Sequence, residues 1–285
     1  MEQTTFKQFL GLLLAVLLIS TSGVLGRYIA LPTEIIIWFR SFLAVIFLFI
    51  FLKIKKTPLK VKHPKEYVPF LIGGILMGVH WITYFYALKL SNVALGMLSL
   101  YTFPVFIAIL EPLILKVKFQ AIHLFFGVLI LIGLYILTPQ FDLESAQVKG
   151  ILFGVFSALC YAFRILILKK HATNYDGTVL MFYQVVIISL LLFPTLFFMD
   201  VSGLRTQWPY LLTLAFVTTA IGHSMLLHSL KFFSATTTSI ISSLQPIFGI
   251  IMAFFLLSEI PELNTFFGGS LILAAVLFES FRVKK

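Results

Sequence analysis

Two histidines stand inside long apolar runs, where an ionisable side chain is costly and therefore informative. His80 is followed directly by Trp81 and one helical turn later by Tyr84, and His223 lies 142 residues after Trp81. An imidazole can bind a ligand, relay a proton near neutral pH, or be held neutral by a hydrogen bond between helices. We predict that these residues line a binding cavity, with a purely structural histidine as the alternative.

Four residues from other apolar runs are predicted to join this cavity, namely Tyr101, Tyr161, Ser243 and Gln245. Small hydroxyl side chains also allow helices to approach closely, so the polar stripe around Ser243 has a packing interpretation as well. The predicted cavity is aromatic and carries few charges. A phosphate ester would need a basic cluster, so amino acids or similar amphipathic molecules are the preferred ligands.

Pro104 and Pro246 each lie in the middle of an apolar run, 142 residues apart. A proline inside a helix removes one backbone hydrogen bond, here freeing the carbonyls of Leu100 and Ser242. Freed backbone groups are tolerated at membrane depth only against protein or a wet cavity. We predict a pair of gating kinks beside the ligand path, and passive kinks that shape the packing are the alternative.

Three charged residues lie within apolar runs. Arg40 is predicted either to bind a carboxylate or to pair structurally, because an intramembrane charge should face the interior. Arg164, five residues from the end of its run, is expected to extend to the interface. Glu111 is predicted to carry a coupling proton or line an inner gate, or else to reach water or Lys116.

The composition requires a membrane around these residues. Hydrophobic residues make up 60% of the 285 residues and charged residues only 11%, and mean hydropathy is +1.05. About 20 apolar residues cross a bilayer as a helix, so the chain has room for ten spans with short loops. The predicted spans are 8–28, 34–52, 68–88, 93–115, 121–138, 149–169, 177–199, 208–230, 234–257 and 264–282.

The basic residues indicate the orientation. With the N-terminus in the cytoplasm, 15 of the 21 Lys and Arg residues fall on the inner side, 4 on the outer side and 2 within spans. This asymmetry follows the positive-inside rule, so both termini are predicted to be cytoplasmic. Because the positive charges lie in short loops and not in one basic stripe, the net charge of +10 does not indicate a nucleic-acid partner.

The chain contains an internal repeat. Leu88-Lys89 matches Leu230-Lys231 and Gly127 matches Gly269 at the same 142-residue offset as the two prolines. We predict a first repeat over 1–138 and a second over 149–285, each with five spans. An odd number of spans inserts the second copy upside down, which gives an inverted-topology repeat of the kind that supports alternating access.

The order of several short motifs resembles the drug/metabolite transporter superfamily, in its EamA type with two five-helix repeats. These motifs are Arg40-x-x-x-Ala44, Ala87-Leu88 through Ser91 and Ala94 to Pro104, Ser229-Leu230 through Ala235 to Pro246, then Glu259 and Gly268-Gly269. The first half departs from the pattern, because Val117 stands where the second half has Glu259. The resemblance implies a small-metabolite exporter or permease, with a cavity lined by spans three, four, eight and nine and by parts of spans one, two, six and seven.

We therefore expect an all-α, multi-pass protein of the bacterial inner membrane that exports a small organic metabolite by alternating access. Its predicted partners are the substrate and the lipid bilayer; proton coupling and the oligomeric state stay open. No cofactor or metal is expected. The alternatives are an intramembrane enzyme acting on a lipid or membrane substrate, or a channel. No catalytic motif such as H-E-x-x-H or G-x-S-x-G supports the enzyme.

Overall fold

The computed structural model describes residues 2–116, 122–137 and 142–283, and helices account for most of them. That part of the chain contains no strand. The helices are α1 (Glu2–Tyr28), α2 (Thr33–Ile54), α3 (Tyr67–Leu90), α4 (Val93–Leu100), α5 (Phe103–Leu115), α6 (Ile122–Leu137), α7 (Ala146–Lys169), α8 (Gly177–Leu192), α9 (Leu204–Thr213), α10 (Ser224–Ser229), α11 (Ala235–Ser242), α12 (Gln245–Leu257) and α13 (Leu263–Val283). A π-helix, Leu214–His223, joins α9 to α10.

Within the described ranges, seven helical segments are long and apolar enough to cross a membrane. Two shorter apolar helices, Gln245–Leu257 and Leu263–Ala275, come from the last part of the chain. The predicted span 121–138 corresponds to α6 but extends at both ends onto residues outside the described part. The structure therefore confirms an all-helical membrane fold, and the count of ten spans stays a prediction.

Both intramembrane prolines occupy a position different from the predicted one. The expected single kinked helices are instead two helices each, because the chain turns at Tyr101–Thr102 between α4 and α5 and at Ser243–Leu244 between α11 and α12. Pro104 and Pro246 are each the second residue of the following helix. Proline is tolerated there because the first turn of a helix has no intrahelical acceptor for its N–H.

The two broken helices end in the same way as well. Lys116 after α5 has φ 57° and Ser258 after α12 has φ 56°, both in the left-handed region. These residues are also 142 positions apart. The break, the proline and the left-handed cap thus recur at one constant offset, which is independent structural support for the repeat.

The main helix contacts pair a helix of one half of the chain with a helix of the other half. α3 packs on α7, and α1 packs in the equivalent way on the π-helix and α10. α2 pairs with α8, and α6 pairs with α13. Close approach is extreme between α7 and α4, where a Cβ on Gly154 would lie 2.0 Å from the Ser99 Oγ. The first helix of each half is therefore packed mainly against helices of the other half.

Candidate substrate cavity

A small enclosed cavity of about 20 Å³ lies at the centre of these contacts. Seven of the eight residues predicted to bind the ligand line it, and they are His80, Trp81, Tyr84, Tyr101, Tyr161, His223 and Gln245. The sequence reasoning did not include the remaining wall residues, Ile19, Ser22, Leu100 and Phe103. A cavity of this size holds about one water molecule, so the helices are closed around the centre in this conformation.

Ser243 is the predicted ligand residue that does not reach the cavity. It is buried in the turn between α11 and α12, and its hydroxyl donates to the carbonyl of Ser239 at 3.1 Å. Tyr101, which is its counterpart at the 142-residue offset, does line the cavity. A serine side chain is too short to extend from this turn past its own helix.

His80 is anchored by Ser157 on α7 through two contacts. The Ser157 hydroxyl donates to the His80 carbonyl at 2.8 Å, and the His80 Nδ1 lies 2.8 Å from the same Oγ. Since the hydroxyl has a single proton, Nδ1 must donate to it, which leaves Nε2 as a hydrogen-bond acceptor. The ring packs against Tyr161 at 4.5 Å and parallel to Tyr84 at 6.1 Å. His80 thus has the interhelical bond of the structural alternative and also a nitrogen left for a ligand.

His223 also lines the cavity and packs against Trp81, with ring centres 5.5 Å apart. Its Nδ1 is buried, and no hydrogen-bond partner is present in the described part of the chain. Buried polar atoms in folded proteins nearly always have a partner. The exception here lies in the cavity wall, where a bound molecule could supply one.

Arg40 lies directly behind this wall. Its guanidinium covers the Trp81 ring at 3.8 Å, and its side chain is completely buried. It donates to Thr219 at 2.6 Å and to Thr218 at 3.1 Å, both on the π-helix, and also to Ser22 at 3.2 Å. All three acceptors are neutral hydroxyls. They hold the Arg40 side chain in place but do not neutralise its positive charge.

Arg164 is placed differently from the prediction. It does not extend to the interface but is completely buried, because it lies on the packed side of α7, next to Tyr161 and to Gln184 of α8. Its Nε donates to the Gln184 Oε1 at 2.6 Å, and its guanidinium lies 5.2 Å from the centre of the Tyr161 ring. Its Nη1 is buried, and no acceptor for it occurs among the described residues.

A cluster around Arg27 joins three segments at one end of the molecule and was missed by the sequence reasoning. Arg27, near the end of α1, donates from Nε to Glu259 at 3.1 Å and from Nη1 to the carbonyls of Leu88 at 3.2 Å and Lys89 at 2.8 Å. Glu259 in turn accepts from the backbone N–H of Val93 at 2.8 Å. We call these five residues the Arg27 cluster.

A related cluster lies at the other end. Lys169, at the end of α7, donates to the carbonyls of Leu230 at 2.7 Å and Phe233 at 2.9 Å. Glu111 is within electrostatic range of Lys169 and accepts a hydrogen bond from the Thr236 hydroxyl. These five residues form the Lys169 cluster. Glu111 therefore belongs to this cluster and is bound by Thr236, in addition to any contact with water.

The two clusters correspond through the repeat. Lys169 follows Arg27 by 142 residues, and Leu230 follows Leu88 by the same offset. This relation is present in the sequence, where both cations stand at the end of a predicted span. Only the folded chain shows that each cation is bound to carbonyls at or just after the end of the repeat-related helix, α3 for Arg27 and α10 for Lys169.

A second, larger cavity of about 520 Å³ opens between α1, α2 and the π-helix with α10. Charged and titratable residues lie at one end of it, and these are Lys7, Lys55, Asp176 and His228. It extends to Ser224, the chain neighbour of His223. The corresponding space between α3 and α8 is filled, because a Cβ on Gly74 would lie 2.8 Å from Ile187. The two halves are therefore not equivalent in this conformation.

Comparisons with known proteins agree with this architecture. The model of the EamA-like transporter family matches residues 6–138 and 148–281. The pseudopaline exporter CntI of Pseudomonas aeruginosa is 23% identical and the S-adenosylmethionine uptake transporter of Rickettsia felis is 27% identical. Both alignments cover 96% of this chain, with 97% and 92% of the relatives.

Two further likenesses concern an archaeal relative and a solved fold. An uncharacterised transporter of Archaeoglobus fulgidus is 28% identical over 68% of this chain and 70% of its own length. A crystal structure with 16% identity covers 98% of this chain and 99% of its own, with a TM-score of 0.73, which shows the same fold. Together with the apolar helices, these relatives identify an integral, multi-pass protein of the inner membrane. The chain belongs to the EamA-like transporter family.

Proposed function

We propose that the chain is a secondary transporter that exports a small organic metabolite by alternating access of two inverted five-helix repeats. Ten spans and cytoplasmic termini are part of this proposal, as is the division into repeats 1–138 and 149–285. The observation that carries it is the pair of repeat-related clusters on opposite sides of one closed cavity.

The clusters have the properties of alternating gates. Opening one end requires α1 to separate from the last turn of α3, which breaks the contacts of Arg27 with the carbonyls of Leu88 and Lys89. Opening the other end requires α7 to separate from the loop after α10, which breaks the contacts of Lys169. With both formed around a cavity of about 20 Å³, the structure has the character of an occluded intermediate.

The helix breaks lie where such motion would pivot. Phe103 and Gln245 line the cavity, and each is the first residue of a helix whose second residue is a proline. A break without continuous helical hydrogen bonds lets the two halves of a span move separately. Pro104 and Pro246 are therefore proposed as hinge residues, with Arg40 as a positioning residue behind the cavity and Glu111 in the Lys169 gate.

The direction and coupling are part of the proposal. Export is supported by the name of the Pseudomonas aeruginosa relative, whereas the Rickettsia felis relative is named for uptake. His80 and His223 are the candidates for a coupled proton, since both line the cavity. Amino acids are the first class of substrate to test.

Counterflow in proteoliposomes tests the function. Purified protein in sealed vesicles should exchange unmodified metabolite across the bilayer with saturation and with acceleration by substrate on the opposite side. Chemical conversion of the metabolite by protein without vesicles would instead establish an enzyme. Flux that neither saturates nor responds to substrate on the opposite side would establish a channel.

A further inference from the structure

The interior of the protein has an uncompensated positive charge. Arg40 and Arg164 are both completely buried, and within the described part of the chain no Asp or Glu side chain is buried. The hydrogen-bond acceptors of the two guanidiniums among the described residues are Ser22, Thr218, Thr219, Gln184 and the Met181 sulfur, all neutral. Neutral dipoles orient a guanidinium but do not cancel its charge, and an unpaired charge inside a membrane protein is strongly disfavoured.

Both charges adjoin the central cavity, each behind different wall residues. Arg40 contacts two wall residues, Ser22 at 3.2 Å and the Trp81 ring at 3.8 Å. Arg164 lies against a third, Tyr161, at 5.2 Å from the ring centre. A molecule in the cavity is thus separated from each guanidinium by one side chain, across a medium in which charges interact far more strongly than in water.

Unused hydrogen-bonding capacity is present at the same place. The Arg164 Nη1 is a buried donor without an acceptor, and the His223 Nδ1 in the cavity wall is also unpartnered in the described structure. An anionic group in the cavity would offset the charge of Arg164 through the low-dielectric interior, and a carboxylate is an organic anion with a strong attraction to a guanidinium. An ammonium group would meet no carboxylate among the described residues that line the cavity and would be repelled by both arginines.

We propose that the transported molecule enters the central cavity as an organic carboxylate, with its acidic group on the Arg164 side, and that amines are excluded by charge. This inference rests on the proposed function and names its substrate class. It also revises the expectation from the sequence that the cavity carries few charges, because two cations, Arg40 and Arg164, lie just behind its wall.

Three five-carbon molecules with different end groups test the proposal. They are glutarate with two carboxylates, 5-aminopentanoate with one carboxylate and one ammonium, and cadaverine with two ammonium groups. Added in millimolar excess to the purified full chain in lipid nanodiscs, glutarate should raise the unfolding temperature most, 5-aminopentanoate less, and cadaverine not at all, because a ligand stabilises the state that it binds. Equal stabilisation by cadaverine and glutarate, or stabilisation by none of the three, would overturn the proposal.

Arginine variants locate the effect. Arg164→Gln should weaken glutarate binding by about tenfold, as expected for loss of a positive charge one side chain away in a low-dielectric interior, while Arg164→Lys, which keeps the charge, should retain part of the binding. Arg205→Gln, at an exposed arginine on α9, is the matched control and should bind as the unchanged chain does. Full glutarate binding by Arg164→Gln contradicts the assignment, and if that variant does not fold, the ranking of the three probes and Arg164→Lys still decide.

The outcome is separable from that of the transport proposal. Glutarate stabilisation without counterflow of any metabolite would support the anion site and contradict transport. Saturable counterflow restricted to neutral or cationic molecules would support transport and contradict the anion site.

Discussion

Replacing Arg27 with Gln should open one end of the transporter and leave the other end closed. The guanidinium makes one contact with Glu259 and two with the backbone carbonyls of Leu88 and Lys89 in the last turn of α3, at 2.8 to 3.2 Å. Glutamine is too short to reach all three acceptors. The Lys169 cluster at the opposite end shares no residue with these contacts, so it should be unchanged.

The size of the effect follows from exposure. The side chains of Arg27 and Glu259 are 35% and 22% exposed, so their ion pair is partly screened and contributes about 0.5–1 kcal/mol. The two charged hydrogen bonds to carbonyls add about 1 kcal/mol in total once the same exposure is allowed for. A loss of about 2 kcal/mol changes the ratio of closed to open molecules by about 30-fold.

Cysteine labelling from outside measures this ratio. Ala94 is 5% exposed and lines a small cavity of about 180 Å³ beside Arg27 and Glu259. In a Cys160→Ala background, Ala94→Cys should react slowly with a membrane-impermeant thiol reagent. Adding Arg27→Gln should raise its reaction rate by about 10- to 30-fold, which is the expected gain in the open population. Arg205→Gln is the control and should leave the rate unchanged.

The opposite cluster supplies the decisive comparison. Lys169→Gln should lower the outside reactivity of Ala94→Cys, because opening at the other end depletes the molecules that open outward. An unchanged rate in Arg27→Gln would refute the gating role of this cluster. An equal increase in both variants would show general loosening of the structure and would refute the alternation.

Three further outcomes are expected. Cysteine at Lys60 should resist the impermeant reagent added outside whereas cysteine at Glu144, whose native side chain is 89% exposed, should react, and the reverse pattern would end the topology proposal. His80→Ala should abolish most transport while the protein accumulates normally in the membrane. Transport by His80→Gln without pH dependence would show proton coupling. Normal transport by His80→Ala, or failure of this variant to accumulate, would establish a structural histidine. Gly177→Ala should lower the free energy of unfolding by about 1–3 kcal/mol by overpacking, because its Cβ would lie 2.3 Å from a backbone nitrogen of α10. The control is Gly11→Ala, where nothing lies within 4 Å of the added Cβ, and an equal denaturation midpoint in the two variants would contradict this prediction.

The candidate cavity was predictable from the sequence to a large extent. His80, Trp81 and Tyr84 stand out because polar and titratable groups are rare in apolar runs, and the 142-residue repeat leads from Trp81 to His223. All four line the cavity. Such residues are conspicuous in a sequence because lipid provides no partner for a polar side chain, so the chain must place them inside.

The errors have a common physical origin. Arg164 was expected to extend toward water because it is near the end of its own helix, but the neighbours of α7 decide which directions are open. Ser243 was counted with the cavity because it lies near Gln245 in the chain, yet the turn between α11 and α12 directs its hydroxyl to Ser239. Distance along a helix does not report which side of the helix is covered.

By itself the sequence determined the membrane environment, the apolar helices and the repeat. The length of the apolar runs, the placement of the charges and the offset between repeats can all be read along the chain without knowledge of its contacts. Only the tertiary structure decided that the prolines begin new helices, that two arginines stand uncompensated behind the cavity, and that Arg27 and Lys169 bind carbonyls at repeat-related positions. The side-chain contacts among these features join residues that are distant in the chain, such as Arg27 with Glu259 and Arg40 with Thr219. Their energies arise from the partner's position in space, which no local pattern along the chain specifies.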